Sequence, residues 1–490
     1  MTETGGTSGR CVVVLDGRFN QNWRVRTVSR WIAMLYVLVA TTPAFGAQTR
    51  AFILTTDFST GSLSVVDLDT RAVTKDVAAV YSDAVERWYG GLLYVVNRFG
   101  QDNVQVIDPA QGYATVRQFS TGNGTNPQDI CFISQSKAYV TRYEVSDLLI
   151  VNPSTGASLG VIPLGAFADA DGIPEMAHMV RVDHRVFVAI QRLDRNAGFH
   201  PTDRSLVAVI DADADTVLDA DPLTPGTQAI RLTGKNPYTT LAFDRASSRL
   251  LIGCAGFYGA LDGGIEYVDP VHLTSLGYAI TEGALGGDVG DIAWNGAAHS
   301  YAIVSDASYN TLLVSWSAIS GLKIATVYAP GGFSLNDCEL NDRGELYVCN
   351  SDYLSPGLFV FRVPQDTMIA GPLDCGLPPY QVTFDATSEQ VLAVEEGPAG
   401  ASLSSPWPNP ARGTLRVRLA LPHAGAVEVE ALDLAGRRVR GIAAGEFEAG
   451  STTCVWDLRD ERGRPVPAGL YVVRARTPQG TFTRRAAVVR

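Results

Sequence analysis

Histidine is scarce. The 490-residue chain has six, His178, His184, His200, His272, His299 and His423, and no two stand at an HxH or HExxH spacing. That removes the motif case for a zinc centre. No CxxC occurs, which argues the same way. GxSxG occurs once, as GASLG (156–160), with no helical pattern after it, so a hydrolase built on that strained strand-to-helix nucleophile turn has no support. Charged residues are 18% against 46% apolar, a balance that gives a globular chain with ample core. The apolar run WIAMLYVLVA (31–40) is too short to span a bilayer.

What the chain does contain is a repeat. Asn126 to Thr141, NPQDICFISQSKAYVT, reads as a Pro-led turn, an apolar strand, a polar turn and a second apolar strand. A step of ten joins Asp129 to Tyr139, and again Ala84 to Tyr94, Thr240 to Leu250, Asp291 to Tyr301, Asp337 to Tyr347 and Gln381 to Val391; His178 to Phe187 is one shorter. An alternating run follows each second strand, often closed by an acid or Asn: LSVVD (63–67), VQVID (104–108), LLIVN (148–152), VAVID (207–211), IEYVD (265–269), LLVSW (312–316) and LFVFR (358–362). Units of 44 to 63 residues with several short strands each predict a β-propeller, because one unit cannot bury its own apolar face and neighbours must cover it. Seven copies of both motifs predict seven blades over 48–396. AFILTTD (51–57) is a second strand with no first strand before it, so a C-terminal strand is expected to complete the first blade and close the ring.

Three flanking segments frame this body. Residues 1–22 show no coherent pattern. Arg24, Arg26 and Arg30, the run 31–40 and Thr-Thr-Pro-Ala-Phe-Gly-Ala then give the order of a secretory leader, with cleavage expected after Gly46 or Ala47. The expectation is therefore an exported protein with no transmembrane segment in its mature form. The stretch 397–410 is rich in Gly, Pro and Ser and reads as a linker. Residues 411–490 alternate cleanly (TLRVRLAL, AVEVEALDL, TTCVWDL, GLYVVRAR) between Gly turns, which predicts a small Ig-like β-sandwich. The fold class expected is thus all-β: a seven-bladed propeller followed by a small sandwich.

Charge separates these parts. Residues 405–490 hold 14 Arg, no Lys and 8 acids, a net +6, and 1–47 carry +3; with −12 overall, 48–404 is left at −21. So acidic a body repels phosphates, which excludes nucleic acid as its partner, and it suits cations. Asp129, Asp291 and Asp337 share one repeat position at the entry to the first strand, and His178 stands at the same place. First strands line a propeller axis, so these four are the candidate ligand-binding residues at the channel mouth. Converging carboxylates suit a hard cation, or each Asp can cap its turn by accepting backbone N–H bonds. The longest unit carries the insertions 164–179, 191–205 and 211–226; in the first, Asp169, Asp171 and Glu175 are a candidate Ca²⁺ site. Asp211, Asp213 and Asp215 form DxDxD but lack the Gly and Glu of an EF-hand loop. Six cysteines follow the leader, and an exported chain can oxidise them; Cys338 and Cys349 flank one hairpin and are the candidate disulfide.

LYVVN (93–97), AYVTR (138–142) and LYVCN (346–350), each followed by a VQVID-type strand, resemble the YVTN repeats of bacterial surface-layer propellers over roughly residues 50–395. The resemblance implies the fold and leaves function open, since related folds serve as lyases, quinoprotein dehydrogenases and binding modules. PNPARG (408–413), DLAGRRVR (433–440) and AGSTTCVWDLRDERGRPVPAGLYVVRA (449–475) resemble the C-terminal Ig-like domains of the flagellar hook-capping type and the related type IX secretion sorting domains. That likeness implies attachment to, or sorting by, a secretion machinery of a Gram-negative envelope. The final strand here ends in Arg, where those domains often end in Lys. The expected function is a secreted or surface-displayed binding or scaffold propeller for an envelope or extracellular ligand. The alternative is a propeller enzyme with its site at the axial mouth.

Overall fold

The computed structural model describes residues 48–385 except 203, and 402–489 with short interruptions at 404–405, 407–409, 422, 434–435, 448–449 and 479. The expected leader, the propeller end at 386–396 with Val391, and most of the expected linker lie outside the described residues.

Short runs of Val, Ile, Leu and Tyr extend because branched and aromatic side chains fit a pleated, half-buried surface. The acid or Asn that closes the alternating runs starts a tight turn. Asp67 accepts the amides of Asp69 and Thr70, Asn152 those of Ser154 and Thr155, and Asp269 those of Val271 and His272. Four residues after the closing residue, or five after Trp316, the backbone is left-handed in every blade: Arg71, Gly112, Gly156, Asp215, Leu273, Gly321 and Asp366 all have φ between 55° and 78°. At three of these positions the side chain reaches the preceding blade. Asp366 accepts the Tyr301 hydroxyl at 2.7 Å, Asp215 accepts that of Tyr139, and Arg71 donates to that of Tyr347.

Seven sheets result, each with four strands in antiparallel order; in the fourth the outer strand is split into Thr216–Leu218 and Ile230–Arg231. Their innermost strands are Pro379–Phe384, Ala84–Tyr89, Pro127–Ser134, Met176–Val182, Pro237–Asp244, Asp288–Ala293 and Leu335–Leu340, for blades one to seven. Each touches the next, and the seventh touches the first, so the ring is closed. Closure is made by the C-terminal strand: Pro379–Phe384 pairs with Arg50–Thr56, setting Phe384 against Ala51 and Val382 against Ile53. The strand next to Gln381 is therefore this N-terminal one.

The core is divided in the same way. Seven apolar clusters form, one between each pair of neighbouring blades; Tyr347, Cys349 and Val360 meet Ala51, Ile53 and Phe384 between the seventh and the first. Burying Val382 and Phe384 of the closing strand contributes roughly 4 kcal/mol at about 2 kcal/mol per large side chain. All six described cysteines are buried free thiols. The expected Cys338–Cys349 bridge does not form. Cys338 stands opposite Val348, and Cys349 opposite Asp337, so the two sulfurs face opposite sides of the seventh blade. Cys338 packs toward the sixth blade and Cys349 toward the first.

Residues 402–489 form a separate sandwich. One sheet joins Ser402–Leu403, Leu415–Leu421 and Gly450–Trp456; the other joins Arg438–Phe447, Gly425–Leu432, Gly469–Thr477 and Gly480–Val488. Val417, Leu419, Val429, Val473 and Trp456 fill its interior. The Tyr471 hydroxyl donates to the Pro467 carbonyl at 2.7 Å, and its ring meets Trp456 edge-on at 5.3 Å. Among the described residues no helix is long and apolar enough to cross a membrane.

Candidate functional site

The inner strands bring the predicted acids together at the axis. In three blades the pairing with the second strand slips just before the Asp, between Pro127 and Asp129, Val289 and Asp291, and Leu335 and Asp337. Such bulges re-aim a side chain. Here they turn one carboxylate oxygen onto an amide of the next blade: Asp129 accepts from Met179 at 2.8 Å, Asp291 from Cys338 at 2.9 Å and Asp337 from Val382 at 2.9 Å. Gln381 continues the series by accepting the Glu86 amide at 2.8 Å. The second blade departs from the ten-residue step. Its counterpart is Val85 rather than Ala84, because the hairpin around Gly90 and Gly91 is one residue shorter, as in the fourth blade.

Charge is concentrated there. Arg87, two residues beyond Val85, places Nε 2.9 Å from Asp129, and its terminal nitrogen lies 3.3 Å from Nδ1 of His178. His178 Nδ1 is itself 3.6 Å from Asp129. Burial alone would raise the Asp129 carboxyl, but Arg87, His178 and the Met179 amide outweigh it and hold it below the usual range. Asp337 and Asp291 form no such ion pair; Arg87 and His178 pull on them less than burial pushes. Burial pushes both up, Asp337 well up, and the Asp291 charge adds to the push on Asp337. Glu86 is fully buried between the second and first blades, and neither carboxyl oxygen has a hydrogen bond of ordinary geometry. Burial and then Asp337 drive it well above a normal glutamate. An axial cavity of about 100 Å³ opens beside this cluster, with Arg87, Cys131, Val180, Thr240, Glu339 and Thr383 contributed by six different blades. Sequence reasoning missed Arg87, Glu86 and Glu339. The signal was present in AVERWY, where adjacent charges interrupt a strand that must be buried.

The insertion of the fourth blade holds a second cluster. Leu193–Asp194 and His200–Pro201 form a short hairpin, and Arg195 at its tip reaches Glu175 at 2.9 Å, Asp171 at 3.9 Å and the Glu144 carboxylate. The proposed calcium ligands are thus already engaged. Glu175 accepts from Leu193 and Arg195, Asp171 from the amides of Ile173 and Arg195, and Asp169 from the Asp171 amide and the Thr202 hydroxyl. Burial lifts the Glu175 carboxyl to about 7, against the pull of Arg195. Among the described residues no three His, Cys, Asp or Glu side chains are grouped to hold a metal ion. Asp211 and Asp213 instead face the sandwich, at 3.6 Å from Arg416 and 3.0 Å from Arg418.

Comparison with solved structures shows resemblance at low identity. PorZ, a bacterial surface component of the type IX secretion system of Porphyromonas gingivalis, is 15% identical with a TM-score of 0.41; the match covers 90% of this chain. The chain spans 58% of the length of PorZ. The propeller domain of Cps50 (Swd1) from Myceliophteria thermophila is 14% identical over 61% of this chain and 89% of its own, with a TM-score of 0.46. Apo AztD from Citrobacter koseri is 13% identical over 68% and 96%, with a TM-score of 0.41. No curated protein matches the sequence. The family that does match covers the C-terminal segment alone: residues 408–480 match the FlgD Ig-like domain.

Proposed function

We propose that this is an exported, surface-displayed binding protein: a propeller of the surface-layer YVTN type that presents a ligand face, carried by an Ig-like module for attachment or sorting. The observation that carries the reading is the use made of the axial acids. Asp129, Asp291 and Asp337 each commit an oxygen to an amide of the next blade, so the ring of carboxylates stitches the propeller together. The leader-like order of residues 24–47 and the Ig-like match at 408–480 support export and attachment. The test is fractionation of cells expressing the full chain beside one ending at Ala401, with mass spectrometry of both termini. Full chain at the surface with the shortened chain retained inside supports sorting by the tail. The same location for both makes the tail an ordinary module, and a cytoplasmic full chain overturns the reading.

A second reading is favoured by one specific observation. Glu86 and Asp337, both pushed well up, lie near the Arg87 guanidinium beside a small axial cavity, the kind of perturbed cluster that marks acid–base sites. A small anionic molecule would meet Arg87 there. Calorimetry with carboxylate and phosphate compounds, repeated on Arg87→Met, tests it; no heat with the folded native chain removes it.

A further inference from the structure

The two faces of the propeller are unlike. One carries the loops between second and third strands together with the entries to the innermost strands, because Pro127 pairs with Arg142 and Pro237 with Cys254 at that edge. Nine aromatic side chains are exposed among the described residues, and all nine lie on this face. Six of the seven blades contribute through the second–third loop alone: Phe58, Phe99, Phe199, Tyr258, Tyr309 and Tyr353, exposed by between 41% and 93%. Tyr238 adds a seventh ring at an inner-strand entry. The opposite face, built from the Asp and Asn turns described above, exposes no aromatic residue among those described. Rings cost solvation when exposed, so a distribution this one-sided marks a surface that another molecule covers.

Several of the rings are fixed before any partner arrives. Tyr258 and Tyr309 stack across neighbouring blades at 5.8 Å and 15°, and Phe58 meets Tyr380 edge-on at 6.2 Å. Preorganised aromatics bind with little loss of side-chain freedom.

The charge of the face decides the partner. Its loops hold thirteen acids and five Arg or Lys among the described residues, and ten of the acids reach solvent, with Asp57, Glu144, Asp306 and Asp352 beside the exposed rings. That balance rejects anionic polymers and draws cations. A neutral glycan would use the rings and leave the acids without a role. Arginine satisfies both features, since its guanidinium lies flat on an aromatic face and pairs with carboxylates. The face already shows this geometry within the chain: Arg195 stands 5.5 Å from the Tyr143 ring centre and 5.7 Å from that of Phe199 while bonding Glu175 and Glu144.

We infer that this face docks a protein partner through an arginine-bearing basic surface, the exposed rings receiving guanidinium groups and the loop acids pairing with them. The inference rests on the binding-protein reading above and names the surface and partner class that reading leaves open. The test uses the full chain, two synthetic 12-residue peptides of equal charge (alternating Arg-Gly and alternating Lys-Gly) and a neutral glucan, measured by interferometry at low and physiological salt. The expected result is Arg peptide binding at least fivefold tighter than Lys peptide binding. The variant Phe99→Ser/Tyr309→Ser/Tyr353→Ser, changed only at exposed loop tips, should lose that preference and weaken about tenfold while keeping its melting temperature. A control, Asp69→Asn/Asp108→Asn on the opposite face, should leave the preference intact. Equal binding of the two peptides, or an unchanged triple variant, overturns the inference. So does glucan binding that the triple variant abolishes, which assigns the rings to a carbohydrate. The peptide result does not depend on where the cell puts the chain, so failure of export in the fractionation and failure here are separate outcomes.

Discussion

Raising the pH from 5 to 8 should weaken the fold, and Glu282 is the residue through which the effect is easiest to read. This side chain is fully buried on the one-turn helix Glu282–Leu285 that leads into the sixth blade. Its oxygens accept the Gly263 amide at 2.7 Å and the Val289 amide at 2.9 Å. Burial, with Asp288 and Asp262 adding repulsion, still lifts it from 4.5 to about 7 against those two donors. A folded value above the unfolded one means the protonated form is favoured by folding. The contribution is complete below about 4.5 and is lost as the pH rises through 7. At about 1.4 kcal/mol per tenfold change in proton affinity this amounts to about 3 kcal/mol, most of it between pH 5 and 8. Glu282→Gln does not titrate. It keeps one amide acceptor and turns an NH₂ toward the other amide, so it should be less stable than the native chain by roughly 1–3 kcal/mol at pH 5. By pH 8 the difference should shrink by about 3 kcal/mol and vanish or reverse. Urea unfolding of both chains at pH 5, 6, 7 and 8 measures this directly. Glu175, also lifted to about 7, titrates in both chains and cancels. Parallel stability curves would refute the assignment.

Three further outcomes follow from the packing. Asp129→Ala strands the Arg87 guanidinium and the Met179 amide at the axis, and should cost about 3–5 kcal/mol in denaturant unfolding; a loss under 1 kcal/mol would show that water replaces the carboxylate. A chain ending at Pro378 lacks the closing strand Pro379–Phe384 and should not give a cooperative thermal transition, whereas one ending at Ala401 should. Alkylation and mass spectrometry of the native chain should find Cys338 and Cys349 unlinked and slow to react, then rapidly modified in urea, because burial suppresses both thiolates.

The architecture was legible because it is repeated. A single blade's strands are short and ambiguous, but Asp129, Asp291 and Asp337 recur with Tyr139, Tyr301 and Tyr347 ten residues on, and that spacing carries the hairpin with it. The unpaired AFILTTD told of a closing strand for the same reason. The step failed where a hairpin is shorter, at Gly90 and Gly91, and at the seam, where the sequence neighbour of Gln381 is not its sheet neighbour. The site was less legible. Asp129, His178, Asp291 and Asp337 stand on innermost strands, where the repeat position puts them, but what they bond is decided by bulges that no spacing reveals, and a ligand for them is a proposal. Arg87 escaped notice because charge inside a strand looks like noise until the strand is known to face an axis. The exposed rings escape the repeat, since Phe58, Phe99, Tyr309 and Tyr353 sit two to four residues past their strands in loops of four to six residues and fall on one face only in space.

The closing strand also sets a clock on folding. Arg50–Thr56 is made early, and its partner Pro379–Phe384 follows about 330 residues later. At roughly 5–20 residues per second the first blade waits on the order of half a minute with one edge unpaired. During that interval Arg50–Thr56 offers a row of open backbone groups and six buried-type side chains to any passing strand. The ring that makes the finished propeller robust makes its unfinished form sticky.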